Sequence, residues 1–473
     1  MSFQGIDSPL KTSENNSMTQ EKSVAEKALS LNLNRPLYGS IAEIGAGQEV
    51  ARWFFKVGGA AGTIAKAMSA YDMTFSDDIY GKEASGRYVV ESRLRKMLDH
   101  EYSLLETRLS DQDQKEKYFF AFADTVAAKS FKYDGICHGW MGVKFQQNPD
   151  QEPSQVILHV RMLDNTNLQQ QEALGTLGIN LTYACYNHSD NIEKFLSSLV
   201  DGEIKSRVEI TLVRFEGILF KDVDPIKANL TLLEKGLADS ILIPFDSDVA
   251  YLGEALYNKQ VIIHRGSFHP PLLTDFDILK SARDHYCGSK TEGLCDPYLI
   301  NELYFDKEKN NIDEILDSVN KLRCCKQNVL ISSFERAYQL SEYVAQFTSN
   351  HINFVYRANR LVNILEAERL VSLERLARIF NENTRIYIYP TPSSQIDKSF
   401  LKDPKKELFE MSDYKASDKN KLLFEHLVLS GYLIELTNFN PEYAMWTETI
   451  FKDCQSNNTN NWEKIVPEEI SGS

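Results

Sequence analysis

The second half of the chain alternates short apolar runs with longer runs whose apolar residues recur every three or four positions, and this constrains the fold more than any other feature. Helices are predicted over 226–235, 249–256, 274–285, 312–322 and 335–347, with a further helical stretch over 359–380. Strands are predicted between them, over 240–244, 260–264, 328–331, 352–356 and 385–389. A strand that is apolar on both sides needs cover on both faces, which helical crossovers provide. The expected product is an α/β fold with a Rossmann-like parallel sheet and helices on both faces. Gly236 closes the first of these helices as a left-handed cap. Residues 393–421 are charged and read as loop, and 422–436 read as a closing helix.

The first half is patterned differently. Leu94, Leu98, Tyr102, Leu105 and Leu109 form one stripe of a helix over 91–109. A second helix with an aromatic and alanine face is predicted over 118–130, and others over 49–55 and 170–185. Period-two alternation predicts strands over 139–146, 155–163 and 207–215. At 473 residues the chain is long enough for two or three domains. The expected division is a solvated tail over 1–34, rich in Ser, Asn, Gln, Lys and Glu, then an N-terminal α+β portion over 35–220, then the Rossmann-like portion over 221–473.

Charge narrows the function. Lys and Arg number 52 against 67 acids, a net charge of −15, which disfavours nucleic acid and anionic membrane as partners. A small basic pocket for a phosphorylated metabolite is compatible with it. No apolar run reaches the ~18 residues of a membrane span, and no secretion signal is seen. The seven cysteines therefore read as reduced thiols of a cytoplasmic protein. No metal site is expected: His285, Cys287 and Cys295 lack a second close pair, and Cys324 and Cys325 are adjacent.

The segment 259–282 concentrates the candidate chemistry. An apolar strand runs into a Gly266-Ser267 turn and then a helix. In a doubly wound sheet that turn lies where anions bind, at the carboxyl end of a strand and beside a helix N-terminus. Arg265, Ser267 and His269 could donate to an anion there, or Gly266 could simply permit the turn. The segment resembles the opening motif of the nucleotidyltransferase superfamily of adenylyltransferases. Gly266, Ser267, Phe268, Pro270, Asp277, Ile278 and Ala282 fall where that motif places them. Leu272 replaces the family's Thr or His, and Thr274-Asp275 replaces its Gly-His pair.

The resemblance implies nucleotide binding by Arg265, Gly266, Ser267, Phe268, His269 and Asp275, with Mg²⁺ if the protein is catalytic. In the family, the histidine of the replaced pair stabilises charge on the phosphates. His269, Arg265 and Arg336 are the nearest substitutes along the sequence. Arg336 closes Ile331-Ser-Ser-Phe-Glu-Arg336, which is similar to a second superfamily landmark but lacks its Thr and brings the Arg one residue early. The alternative for this segment is a strand entering a helix capped by Ser332 or Ser333.

Two further places are candidates. The clusters Gly45-Ala-Gly47 and Gly58 to Gly62 lack the Gly-Lys-Ser/Thr ending of a phosphate loop and follow no clear strand, so close helix packing or turns are expected. On the antiparallel pair, alternation puts His138, Trp140, Lys144 and Gln146 on one face of the first strand, and His159 and Arg161 together on the second. If the faces coincide they form either a cationic anion site or a solvated sheet face.

From about Arg35 to Ile470 the chain also resembles a widespread bacterial family of cytoplasmic proteins. The landmarks are Ala42-Glu-Ile-Gly-Ala-Gly-Gln-Glu-Val-Ala-Arg52, Gly58-Gly-Ala-Ala-Gly-Thr63, Met68-Ser-Ala-Tyr-Asp72, His138-Gly-Trp-Met-Gly142, Leu158-His-Val-Arg-Met-Leu-Asp164 and Gln170-Gln-Glu-Ala-Leu-Gly175. Its members are often assigned as nicotinate-nucleotide adenylyltransferases. Three functions follow as expectations: an adenylyltransferase joining ATP to nicotinate or nicotinamide mononucleotide, a non-catalytic nucleotide-binding regulator, or a self-associating scaffold.

Overall fold

The structure, a computed structural model, describes residues 22–108, 116–130, 135–288, 295–366, 373–447, 449–452 and 463–471. Part of the expected tail is ordered. Val24–Asn32 is a helix opened by a Ser23–Glu26 capping box, with Ala28 and Leu31 buried. Lys27, also buried, reaches Asp201 at 2.5 Å and Asn180 at 2.9 Å. The polar composition hid a short apolar stripe, Val24, Ala28 and Leu31, at helical spacing. Residues 1–21 lie outside the described residues.

The first sheet contains β1 (Leu37–Ile44), β2 (Ile64–Met68), β3 (Tyr118–Ala127), β4 (His138–Phe145), β5 (Ser154–Met162) and β6 (Val208–Glu216), in the order β2-β1-β3-β4-β5-β6. β1 runs parallel to β2 and β3, and the other pairs are antiparallel. The helix expected over 118–130 is corrected to the strand β3. Phe120, Ala121, Phe122 and Ala123 are all buried, because helices cover both faces and no polar residue marks the period of two.

β1 also corrects the reading of the first glycine cluster, which does follow a strand and precedes the helix Glu49–Val57. Gly45 has φ +101°, and a Cβ there would lie 2.0 Å from the carbonyl oxygen of Val126. Close packing explains it. The helix N-terminus is already occupied: the Glu43 carboxylate accepts from the N–H groups of Val50 and Ala51 at 2.9 and 3.0 Å.

Glu43 stands opposite Asp124 across the β1–β3 register, and both are buried. Desolvation pushes the Glu43 carboxyl up to about 7, with the backbone N–H groups acting against it. Asp124 is raised well above its ordinary value by desolvation and by the charge of Glu43. A carboxyl whose folded pKa is raised contributes stability below its unfolded pKa and loses it as pH climbs through the folded one. Stability is therefore expected to fall between about pH 4.5 and 7, by roughly 3 kcal/mol at 1.36 kcal/mol per unit. Asp124→Asn keeps an oxygen for the Ile44 N–H, which Asp124 accepts at 3.0 Å, and removes one charge. It is expected to flatten that slope in thermal unfolding from pH 5 to 8. A variant whose melting temperature tracks the wild type across the range would refute the shared-charge account.

The second sheet contains β7 (Ser240–Ile243), β8 (Val261–Arg265), β9 (Tyr298–Tyr304), β10 (Val329–Ser332), β11 (Ile352–Arg357), β12 (Thr384–Tyr389) and, after a small pair β13 (Thr391–Pro392) and β14 (Leu408–Phe409), β15 (Leu433–Glu435). Its order is β15-β12-β11-β8-β9-β10-β7, parallel throughout except for β7. The expected parallel sheet is present. β9 had no sequence signal, because Asn301 and Glu302 break its apolar run. The helix expected over 422–436 ends at Leu429 and gives way to β15. The helix expected over 249–256 shrinks to Leu252–Ala255.

Alternation sorts the side chains of this sheet. Ile262, Val355 and Tyr387 pack with Ile278, Leu279 and Ala282 of the helix Leu273–Cys287. Ile263, Phe354 and Ile388 turn the other way and join the cluster holding Leu361 and Leu365 of the helix Ala358–Glu366. The helices that follow β8 and β11 thus cover opposite faces. Buried residues of the two sheets, among them Ile210 of β6 and Ile241 of β7, belong to one apolar cluster.

One expectation about thiols is overturned. Cys287, at the end of its helix, is disulfide-bonded to Cys295, eight residues on, just before β9. Their Cα atoms lie 5.7 Å apart, a proximity that spacing alone does not reveal. Cys137, Cys185, Cys324 and Cys325 are free thiols.

Candidate functional site

The chain order of the second sheet determines where a ligand fits. From β8 the chain steps outward to β9 and β10, then returns to the other side of β8 and steps outward again through β11, β12 and β15. The direction reverses between β8 and β11, and loops leaving adjacent strands in opposite directions leave a crevice at their carboxyl ends. A cavity of about 390 Å³ lies there. One wall is the end of β8 and the following turn: His264, Arg265, Gly266, Ser267 and Phe268, with Leu272 and Asp275 from the helix entry. The other is the end of β11 and the next helix: Val355, Tyr356, Arg357, Asn359 and Arg360. Gln395, Thr447 and Thr449 complete the rim.

The turn is shaped by an aromatic ring. Phe268 is buried although its φ is +49°, a region that non-glycine residues seldom occupy. Its ring lies against Gly266, where a Cβ would meet ring carbons at 2.9 to 3.0 Å. Gly266 is thus required for close approach of the ring, and not for an unusual φ of its own. Phe268 also presents its ring to His264, edge to face, with centroids 5.4 Å apart.

Arg265 lines the cavity, but its guanidinium is committed elsewhere. It forms a two-pronged pair with the fully buried Glu302 of β9, and also donates to the carbonyls of Phe334 and Glu335 at 2.8 and 2.9 Å. Ser332 of β10 donates to the same carboxylate at 2.6 Å. The expected anion donor is therefore a strut tying together the ends of β8, β9 and β10. His269 is exposed and does not line the cavity. Arg336 is also outside the lining; it begins the helix Ala337–Val344, and its guanidinium lies 3.8 Å from Glu335.

Asp275, expected to bind nucleotide, has both its oxygens engaged within the protein. One oxygen accepts from the Leu272 N–H at 2.9 Å, capping the helix Leu273–Cys287, and the other lies 3.0 Å from Nε2 of His264. His264 is 5% exposed. Leu272 is buried against Phe451, Ile465 and Val466, which accounts for an apolar residue at that position.

The cations facing the cavity from the other wall were not picked out in the sequence. Arg357 donates to the Trp446 carbonyl at 2.9 Å, and Arg360 lies over the Tyr356 ring at 4.3 Å. Both stand at the start of the helix Ala358–Glu366, whose N-terminal end adds positive potential. With Arg265 neutralised by Glu302, the remaining cations are Arg357 and Arg360, against one carboxylate among the described lining residues, which makes this a basic recess in a chain of net charge −15. Among the described residues Asp275 is the only carboxylate of the lining, and both its oxygens are engaged. The described lining residues therefore do not fit a resident Mg²⁺. No cluster of three potential metal ligands occurs among the described residues.

The second candidate, on the first sheet, is assembled as alternation required but has a different character. His138 stands opposite Arg161, and Trp140 opposite His159, with His138 Nδ1 3.0 Å from His159 Nε2. Arg161 pairs with Glu209 at 2.5 Å and with Gln346, and Lys144 pairs with Asp99 at 2.7 Å. Tyr251 stacks on the His159 ring at 3.5 Å. Desolvation lowers His138 to about 4 and His159 well below its ordinary value, so both rings are neutral at pH 7. The expected cationic surface is corrected to a buried, charge-compensated seam.

No protein-family model matches the chain, and no curated protein matches it. Among solved structures it is similar to the competence/damage inducible protein CihA from Agrobacterium tumefaciens, at 18% identity and a TM-score of 0.25, over 34% of this chain and 94% of that one. A competence-damaged protein (CinA) superfamily protein from Enterobacter cloacae aligns at 13% identity and a TM-score of 0.26, over 38% and 99%. A competence or damage-inducible protein from Enterobacter asburiae aligns at 14% and 0.26, over 35% and 99%. Likeness of this degree assigns no activity to the chain. Among the described residues no helix is long and apolar enough to cross a membrane.

Proposed function

We propose that this protein binds a nucleotide, with its phosphates in the cavity between the ends of β8 and β11. The observation that carries the proposal is the coincidence of a basic recess with the point where strand order reverses in a parallel sheet. The Gly266-Ser-Phe268 turn supplies one wall and supports a nucleotidyltransferase-like reading, with ATP and nicotinate or nicotinamide mononucleotide as the first candidates. Arg360 and Arg357 are the cations for the phosphates, while Arg265 acts from behind by fixing the turn. Mg²⁺ would arrive on the phosphates of the nucleotide, since the described lining residues offer it no free carboxylate.

Arg360→Ala removes a charge-assisted contact of about 1.5–3 kcal/mol, and is expected to weaken ATP binding about 10- to 100-fold in calorimetric titration while leaving the melting temperature of the free protein within a degree or two. ATP, NAD and nicotinate mononucleotide with Mg²⁺ are expected to raise the melting temperature of the wild type, because each binds the folded state. No stabilisation by any of the three at millimolar concentration would rule the proposal out. Conversion of ATP and nicotinate mononucleotide to dinucleotide is expected to be weak or absent, since Asp275 occupies the position of the family's histidine. Binding without turnover favours a regulator, and turnover near ~1 s⁻¹ would establish an enzyme.

A further inference from the structure

We infer that His264, held by Asp275, is the residue of the β8 wall that contacts a phosphate of the bound ligand. The inference rests on the nucleotide-binding proposal and names the contact within it. His264 ends the apolar run of β8 and by sequence was only the last residue of a buried strand. In the structure it lines the cavity, and its Nε2 lies 3.0 Å from the Asp275 carboxylate.

Asp275 stands where the adenylyltransferase motif carries a histidine on the helix. An aspartate there cannot itself face a phosphate. It can hold an imidazole that approaches the same space from the strand, and its other oxygen is fixed by the Leu272 N–H at 2.9 Å, so the carboxylate is a rigid anchor. Phe268 closes the remaining side of the ring, edge to face. With Nε2 turned to Asp275, Nδ1 is the ring atom left for a ligand. It is buried and has no hydrogen-bond partner. A buried polar atom left unpaired costs about 1–3 kcal/mol; with Nε2–H donated to Asp275, a ligand hydroxyl would remove that cost by donating to Nδ1, and a phosphate oxygen would remove it by accepting from Nδ1–H of the imidazolium. The charge set on this wall is thus an imidazole–carboxylate pair, while Arg357 and Arg360 face it from the start of the next helix.

Asp275 is a positioning residue in this arrangement, and His264 makes the contact. The phosphate contributes the discriminating signal, so the test compares a ligand with and without it. ATP and adenosine are titrated into the wild type, His264→Phe and Asp275→Asn. His264→Phe is expected to weaken ATP at least 10-fold with adenosine changed less than 2-fold. Asp275→Asn, which retains an oxygen for the Leu272 N–H, is expected to weaken ATP about 3- to 10-fold with the same selectivity. It carries the test alone should His264→Phe not fold. ATP affinity unchanged in Asp275→Asn and in any folded His264→Phe would overturn the inference while leaving the nucleotide proposal standing. Equal losses for ATP and adenosine would also overturn it, by showing that the pair only shapes the cavity. A wild type that binds neither ATP nor inorganic pyrophosphate at millimolar concentration would overturn both.

Discussion

Replacing Glu302 by alanine is expected to destabilise the protein by about 3–5 kcal/mol, the range found when one partner of a buried ion pair is removed. Glu302 is fully buried, and the Arg265 side chain is 9% exposed. Without the carboxylate, Arg265 keeps the Phe334 and Glu335 carbonyls as partners but has no opposite charge, and the Ser332 hydroxyl loses its acceptor. All these groups lie at the carboxyl ends of β8, β9 and β10, so the damage falls on the floor of the cavity. Urea unfolding of Glu302→Ala and Glu302→Gln measures the effect, with the glutamine variant intermediate because it still accepts one hydrogen bond. Arg265→Ala is expected to lose a similar amount of stability, since it strands Glu302. A loss below ~1 kcal/mol for Arg265→Ala, accompanied by a large drop in ATP affinity, would restore Arg265 to the role of ligand donor.

The second large effect is expected at Glu209. Its carboxylate accepts from Arg161 at 2.5 Å, from the Tyr343 hydroxyl at 2.8 Å and from the Asp239 N–H at 3.1 Å. These donors come from β5, from the helix Ala337–Val344 and from the turn before β7, so one side chain joins the two sheets. Desolvation holds its carboxyl above the ordinary range, and the charge of Arg161 opposes that rise. Glu209→Ala removes the acceptor of all three donors and leaves the buried Arg161 without an opposite charge, and is expected to cost about 3–5 kcal/mol. The paired replacement Arg161→Met with Glu209→Leu is expected to recover most of that, because no lone charge remains. Should the double variant be no more stable than Glu209→Ala, the seam contributes more than charge compensation.

The parallel sheet was legible in the sequence because burial on both faces forces short uninterrupted apolar runs, and Val261 to Ile263 or Ile352 with Phe354 and Val355 have no other simple explanation. The strand, glycine turn and helix around Gly266 were legible for the same reason. β3 was not, because Phe120 to Ala123 carries neither period once both faces are covered. β9 was not, because Glu302 and Asn301 interrupt its apolar run for the sake of the polar groups at the sheet's ends. The order of the strands is unwritten in any local pattern, so the sequence by itself determined that a crevice could open after β8 and not which wall would face it. Only the tertiary structure brought Arg357 and Arg360 opposite Gly266, some ninety residues away in the chain, committed Arg265 to Glu302, and set His264 against Asp275. Charges act over a few ångströms of space whatever their separation along the chain, and partners distant in sequence decided which of them remain to meet a ligand.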